Sequence, residues 1–181
     1  MLKSFGLDDS VMVATLGFFT AYLICQLGGV AHGTGRHRSE LTDENAQTAL
    51  MYWFFCEIFY TLATSLLKIA IGLFLVRITV ERIHVWIIRT IMICSGVVGI
   101  TYLSIVLFQC KPISFWWDLD PTHTGKCLSP NTVIRTTYVV SALNALADWV
   151  FAILPIFIVY NLQMKRRTKA IVATVLGLAA L

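Results

Sequence analysis

Residues 11–30 read VMVATLGFFTAYLICQLGGV and contain no charged side chain in 20 positions. Because an α-helix rises about 1.5 Å per residue, a segment of this length spans the roughly 30 Å hydrocarbon core of a bilayer. Asp8 and Asp9 precede the segment, whereas a cleaved signal peptide begins with a basic region. The segment therefore predicts a retained membrane-spanning helix.

Further apolar segments follow at residues 48–76, 86–109 and 132–160, separated by polar or basic loops. None alternates with the period of two that is typical of a membrane β-barrel. A last apolar segment, residues 170–181, is shorter than the roughly 17 residues that spanning requires. We therefore predict an all-α, polytopic transmembrane helical bundle. It forms a single domain over residues 1–181, with four full spans and a partial fifth.

The composition also indicates lipid as the surrounding medium. Of the 181 residues, 57% are hydrophobic and 13% are charged, whereas soluble domains carry roughly 25% charged residues. The mean hydropathy is +0.76. The net charge of +4 does not indicate a nucleic-acid partner, because Lys and Arg flank the apolar segments and form no single basic face. The predicted partner is the lipid bilayer.

The distribution of basic residues predicts the orientation of the chain. One set of alternating loops holds eight Lys and Arg residues and the other set holds five. The positive-inside rule places the first set, which includes KRRTK at residues 165–169, in the cytoplasm. The first helix alone favours the opposite orientation, with Lys3 before it and Arg36 and Arg38 after it. We expect a cytoplasmic amino terminus, two long exoplasmic loops, and a multi-pass protein of the plasma membrane.

Two cysteines bracket the second long loop. Cys110 and Cys127 lie 17 positions apart, on either side of the sequence WWD. On the exoplasmic side they meet oxidising conditions, so we predict a structural disulfide that closes the loop. Two unlinked thiols are the alternative. The other three cysteines lie inside apolar segments, where thiols pack as small hydrophobic groups.

Among the polar side chains inside the apolar segments, four form a candidate site. Glu57 and Lys68 are eleven residues apart, almost three whole helical turns, so they share one face. Asn144 and Asp148 are four apart and also share a face. Because ionisable groups in a membrane usually face the bundle interior and pair, we predict that Lys68 approaches Asp148. Two interpretations of this intramembrane polar site remain open: helix–helix stabilisation or snorkelling, and a site that binds a ligand or ion or acts as a conformational switch.

The remaining motifs give little indication of chemistry. Pro155 removes a backbone hydrogen bond and predicts a kink, which is a hinge or static packing geometry. His84 and His123 have no partner that the sequence identifies, and the histidines near Arg36 are typical of a solvated loop. No HExxH and no ordered Ser-His-Asp or Cys-His spacing occurs. The sequence therefore predicts no enzyme, no catalytic residue, no metal site and no cofactor.

Several motifs, taken in order, resemble the fungal rhodopsin-domain membrane proteins. LDD before the first span resembles the start of that family's second helix, and GTGRH resembles its glycine-and-histidine loop. EIFYTLATSLLKIAIGLFLVRI resembles the next helix, and FQCKPISFWWDLD with GKC resembles a cysteine-bracketed loop. NALADWVFAILPIFIVYNLQMKRRTKA resembles a helix with Asn, Asp and Pro-Ile, followed by a basic turn. Together these motifs cover almost the whole chain.

The resemblance implies a protein similar to seven-helix receptors. The spans of this chain would correspond to helices two through six, with the first and seventh missing and the sixth cut, so a truncated copy or fragment is expected. No retinal chromophore is expected, because the helix that would carry the linking lysine is absent from the sequence. By the resemblance, the family's intramembrane polar positions and its loop cysteines correspond to Glu57, Lys68, Asn144 and Asp148, and to Cys110 and Cys127.

The function that the resemblance implies is the sensing of extracellular cues. The exoplasmic face would bind a ligand of unknown identity, and the basic cytoplasmic turns would couple to a signalling partner or contact anionic lipid. The first alternative is a membrane transporter whose polar pathway through the bundle is lined by Glu57, Lys68 and Asp148. The second alternative is a truncated chain without activity.

Overall fold

Four long helices form most of the part of the chain that the structure describes. The computed structural model describes residues 6–79, 81–120 and 123–161, without the side chains of residues 78 and 155–161. Within these ranges, the helices are α1 (Leu7–Ala31), α2 (Asp43–Ile78), α3 (Arg82–Phe108) and α4 (Pro130–Asn161). All four are long and apolar enough to cross a membrane. The predicted all-α membrane bundle with four spans is therefore confirmed, while the partial fifth span at residues 170–181 lies outside the described residues.

The helices extend beyond the apolar segments because polar residues cap them. The Gly6 amide donates to Asp9 Oδ2 at 3.1 Å, which satisfies one free group at the start of α1. Thr42 caps α2 by accepting from the Asn45 amide at 3.5 Å. Acidic side chains occupy the first turn of both helices, where the helix dipole favours negative charge. The result for α2 is a helix of 36 residues.

The central element is α2, which contacts α1, α3 and α4. Ala46, Ala49, Ala63 and Ala70 are among its buried residues, and small residues of this kind allow helices in a membrane to approach closely. The two helices α1 and α2 approach each other closely at Gly28, where an added Cβ would lie 2.7 Å from Cε1 of Tyr52. Close packing against α2 therefore positions the other helices.

Two clusters of buried apolar residues lie near opposite ends of the bundle. Phe54, Tyr102 and Val106 form one cluster. The second cluster joins α2, α3 and α4 and consists of Leu75, Ile88, Phe151 and Leu154. Many other large apolar side chains are exposed, including Trp86 at 71% and Trp149 at 70%. In a protein of this class, such side chains form the surface that contacts lipid.

Two loops meet at one end of the bundle, which we call the loop end. The first, residues 32–42, turns at Gly33 and Gly35, whose positive φ angles of 101° and 94° favour glycine. The second, residues 109–129, contains two short antiparallel strands, β1 (Cys110–Lys111) and β2 (Lys126–Cys127). The opposite end, which we call the turn end, holds the short connection between α2 and α3. There Arg77 pairs with Asp8 at 3.3 Å, linking α2 to α1.

We expect Gly28→Leu to destabilise the bundle by about 1–3 kcal/mol, because the added side chain must displace the Tyr52 ring. Thermal unfolding in detergent micelles, followed by circular dichroism, measures the effect. Gly17→Leu is the matched control, since no atom lies within 4 Å of an added Cβ at Gly17 on the same helix. Equal melting temperatures for the two variants would contradict the close approach of α1 and α2 at Gly28.

Candidate functional site

A cavity of about 470 Å³ lies among the four helices. Cavities that hold small organic ligands usually measure about 300–1,000 Å³ and combine apolar walls with a few polar groups. We call this feature the bundle cavity. Its walls consist of Tyr22 and Gln26 on α1, Trp53, Cys56, Glu57, Tyr60, Thr61, Thr64 and Ser65 on α2, Gly99 and Tyr102 on α3, and Thr137, Val140, Ser141 and Asn144 on α4.

The bundle cavity lies in the half of the bundle nearer the loop end. Gln26 is five residues before the end of α1, Tyr102 is six before the end of α3, and Thr137 is seven after the start of α4. At about 1.5 Å per residue, these positions lie roughly 8 to 11 Å from the adjoining loops. A molecule that enters from the side of the two loops therefore has a short distance to travel.

Glu57 is the acidic residue of the cavity wall. The Tyr102 hydroxyl on α3 donates a hydrogen bond to Glu57 Oε1 at 2.5 Å, and it also lies 3.4 Å from Thr137 Oγ1 on α4. This contact connects three helices through polar groups. Within the part of the chain that the structure describes, no Lys, Arg or His forms an ion pair with Glu57.

Aromatic and hydroxyl side chains surround Glu57 on the same face of α2. Trp53 precedes it by four residues and Tyr60 follows it by three, which is the spacing of neighbours on a helix. The Tyr60 ring packs against Tyr22 of α1, with 5.7 Å between centroids. The Thr61 hydroxyl donates to the Glu57 carbonyl at 2.8 Å, and Thr64 donates to the Tyr60 carbonyl at 2.9 Å.

An ion pair lies on the turn-end side of the cavity. Lys68 Nζ on α2 is 3.0 Å from Asp148 Oδ1 on α4, and the two side chains are 6% and 62% exposed. Ser65 and Asn144, which line the cavity, precede these two residues by three and four positions. Glu57 and Asn144 therefore lie in the cavity wall. The ion pair lies outside it, about one helical turn beyond Ser65 and Asn144 toward the turn end.

The loop at residues 109–129 is held against the start of α2. A disulfide joins Cys110 to Cys127, and the Leu128 amide donates to the Gln109 carbonyl at 2.8 Å. The Trp117 ring lies 5.4 Å from the Phe54 ring, measured between centroids. The loop is therefore tied to itself and packed against a residue next to the cavity-lining Trp53.

The same loop contains a carboxylate–imidazole pair. His123 Nδ1 lies 2.5 Å from Asp118 Oδ2, and Asp118 also accepts from Gln47 of α2 at 3.3 Å. Hydrogen bonds from the Asp120 amide and then from His123 lower the pKa of Asp118, while the hydrogen bond to Asp118 raises the pKa of His123. Sequence reasoning found no partner for His123, because this pairing depends on how the loop folds.

The structure also describes His84 and the backbone around Pro155. His84, for which the sequence identified no partner, lies 2.9 Å from Glu81. Helix α4 continues past residue 155, but the side chains of residues 155–161 lie outside the described ones, so the kink at Pro155 stays a prediction. Sequence reasoning did not single out Trp53 and Tyr102, because aromatic residues are common in any apolar segment.

We expect Lys68→Met to destabilise the bundle by about 1–3 kcal/mol, since Asp148 loses the charged partner that the buried Lys68 provides. The measurement is the midpoint of thermal unfolding in detergent. Lys111→Met, which removes an exposed lysine from the loop, should leave the midpoint unchanged. Replacing Asp148 by Leu as well should restore part of the loss, because no unpaired carboxylate then remains. An unchanged midpoint for Lys68→Met alone would exclude a stabilising role for the pair.

We expect the Asp118–His123 pair to make stability depend on pH. A raised histidine pKa adds stability that is complete below the ordinary value of about 6.5 and is lost as the pH rises through the raised value. A lowered aspartate pKa adds stability above about 3.9 that is lost in stronger acid. His123→Gln should therefore lower the melting temperature more at pH 6 than at pH 8.5. The control His37→Gln, in the other loop, should show no such difference.

Comparison of the sequence with protein families matches the fungal rhodopsin domain over residues 1–181. No curated protein and no solved structure matches the sequence. The family match covers every motif on which the resemblance rested, so that resemblance is confirmed.

Proposed function

Because the chain belongs to the fungal rhodopsin-domain family, we propose that it is a receptor-like protein that senses an extracellular cue by binding a small molecule. The observation that carries the proposal is the bundle cavity of about 470 Å³, which side chains of all four helices line. A ligand there touches four helices at once. Its binding free energy therefore depends on how the helices pack, and binding shifts the bundle toward the arrangement that fits it best.

The loop end provides the route for the ligand. Under the predicted orientation it faces the exoplasmic side of the plasma membrane, where extracellular cues arrive. The disulfide and the contact between Trp117 and Phe54 hold the loop at residues 109–129 in place beside α2. A fixed loop supports selective entry, because little conformational entropy is lost when a ligand passes or binds next to it.

The ion pair links the cavity region of the bundle to the turn end, so a change in helix position can pass from one to the other. Any movement of α4 relative to α2 changes the distance between Lys68 and Asp148, which is 3.0 Å in the structure. The same helix α2 continues to Arg77, whose partner Asp8 lies on α1. We propose that ligand binding repositions the turn-end parts of α1 and α2 together with the basic turn between α2 and α3. This turn then couples to a cytoplasmic signalling partner.

Transport is the alternative that the same polar residues allow. It requires a continuous polar path from the cavity to the turn end, past Glu57 and Lys68 of α2 and Asp148 of α4. Paired charges inside a membrane also occur in transport pathways, so the Lys68–Asp148 ion pair is the observation that supports transport as the second candidate. Whether the chain is an inactive fragment stays a prediction.

A thermal-shift screen of small molecules against the protein in lipid nanodiscs tests the proposal. Compounds that bind in the cavity should raise the melting temperature of the native chain but not of Ser141→Phe, which fills the cavity. The matched variant Ser104→Phe, at an exposed position of α3 outside the cavity wall, should respond like the native chain.

Two further measurements separate sensing from transport. Hydrogen–deuterium exchange at residues 79–89 should change when a stabilising compound is added, because the turn between α2 and α3 changes position. The compound should not cross proteoliposome membranes that contain the protein. Flux that disappears in Asp148→Asn would support transport instead. A screen in which no compound distinguishes Ser141→Phe from Ser104→Phe would contradict ligand binding in the cavity.

A further inference from the structure

We infer that the bundle cavity takes an organic cation, a small amine whose ammonium group binds the Glu57 carboxylate and whose apolar part packs against the aromatic wall. This inference rests on the proposed function, because it names the chemical class of the ligand that the cavity would bind. Three properties of the cavity carry it: its unbalanced charge, the direction of its hydrogen bonds, and its aromatic lining.

The charge of the cavity wall is negative. Glu57 is an acidic side chain in a membrane-spanning bundle, and no cationic side chain in the described part of the chain pairs with it. Lys68 is eleven residues further along α2, roughly 16 Å at 1.5 Å per residue, and it pairs with Asp148. Because a carboxylate at membrane depth is costly without a counter-charge, a cationic ligand gains from meeting it.

The hydroxyl groups of the wall present acceptors to a ligand. Each hydroxyl has one proton, and four wall hydroxyls donate theirs within the protein. Tyr102 donates to Glu57, Thr61 to the Glu57 carbonyl at 2.8 Å, Thr64 to the Tyr60 carbonyl at 2.9 Å, and Thr137 to the Val133 carbonyl at 3.0 Å. At these four positions a ligand meets oxygen lone pairs. An ammonium group has donors only, so it can bond to these oxygens, whereas an anion cannot.

The aromatic side chains suit the rest of such a ligand. Trp53 and Tyr60 flank Glu57 on α2, and Tyr22 packs on Tyr60 with ring centroids 5.7 Å apart. The faces of Trp and Tyr rings attract cations and also contact apolar groups. A cavity of about 470 Å³ accommodates a molecule of one or two rings. The predicted ligand class is therefore a small aromatic or alkyl amine.

The probes are phenethylammonium and its uncharged analogue phenethyl alcohol, measured by calorimetric titration against the protein in nanodiscs, with empty nanodiscs subtracted. We expect the native protein to bind phenethylammonium at least tenfold more tightly than the alcohol. Glu57→Gln should remove this preference while keeping the affinity for the alcohol. Glu44→Gln, which neutralises an exposed carboxylate in the first turn of α2, should keep the preference.

A second variant distinguishes the loss of the Glu57 charge from misfolding of the bundle. Glu57→Asp keeps the negative charge on a shorter side chain, so it should retain a preference for the ammonium probe at reduced affinity. A native chain that binds the alcohol as tightly as phenethylammonium would overturn the inference, and so would a Glu57→Gln variant that keeps the preference.

The outcomes also distinguish this inference from the proposed function. If both probes bind equally well to the native chain and binding is lost in Ser141→Phe, the cavity accepts ligands without selecting cations, and only the inference fails. If neither probe binds the native chain more tightly than Ser141→Phe, the inference fails. The proposed function is then decided by the wider compound screen.

Discussion

Lipid offers no hydrogen bonds to the protein, and this constraint explains most of what the structure contains. Backbone groups are paired within four long helices, because a helix satisfies its own amides and carbonyls in lipid. The threonine hydroxyls at 61 and 64 donate to carbonyls of the same helix. Lys68 pairs with Asp148, and Glu57 accepts from Tyr102. The last two of these contacts join α2 to α4 and to α3, so the need of these side chains for partners helps to fix how the bundle packs.

Helix α2 organises the site because it carries both ionisable side chains of the polar face. Glu57 lies at the cavity and Lys68 lies eleven residues further toward the turn end. The two residues face different partners, Tyr102 on α3 and Asp148 on α4. Polar contacts from one helix therefore reach two neighbouring helices, at two different levels of the bundle.

The sequence predicts the spans and the proximity of Lys68 to Asp148 for simple reasons. Apolar length is set by bilayer thickness, and few ionisable residues lie at membrane depth, so few pairings are available. The contact of Glu57 with Tyr102 and the contact of Asp118 with His123 were not predictable. The first depends on how α3 crosses α2, and the second on the path of a loop, and neither leaves a periodic signal in the sequence. Helices α1 and α2 also begin before their apolar segments, because Asp9 and Thr42 accept hydrogen bonds from backbone amides at these helix starts.

The length of α2 has a mechanical consequence. Its 36 residues measure roughly 54 Å at 1.5 Å per residue, which is well beyond the roughly 30 Å thickness of the hydrocarbon core. The excess is accommodated by inclination of the helix axis or by protrusion into the headgroup layers. A change in inclination of about 10° displaces one end of such a rod sideways by about 9 Å relative to the other. The inclination of α2 is set by its packing against α1, α3 and α4 and by side chains at the membrane interfaces, so a small change in that packing moves the ends of the helix much further than its middle.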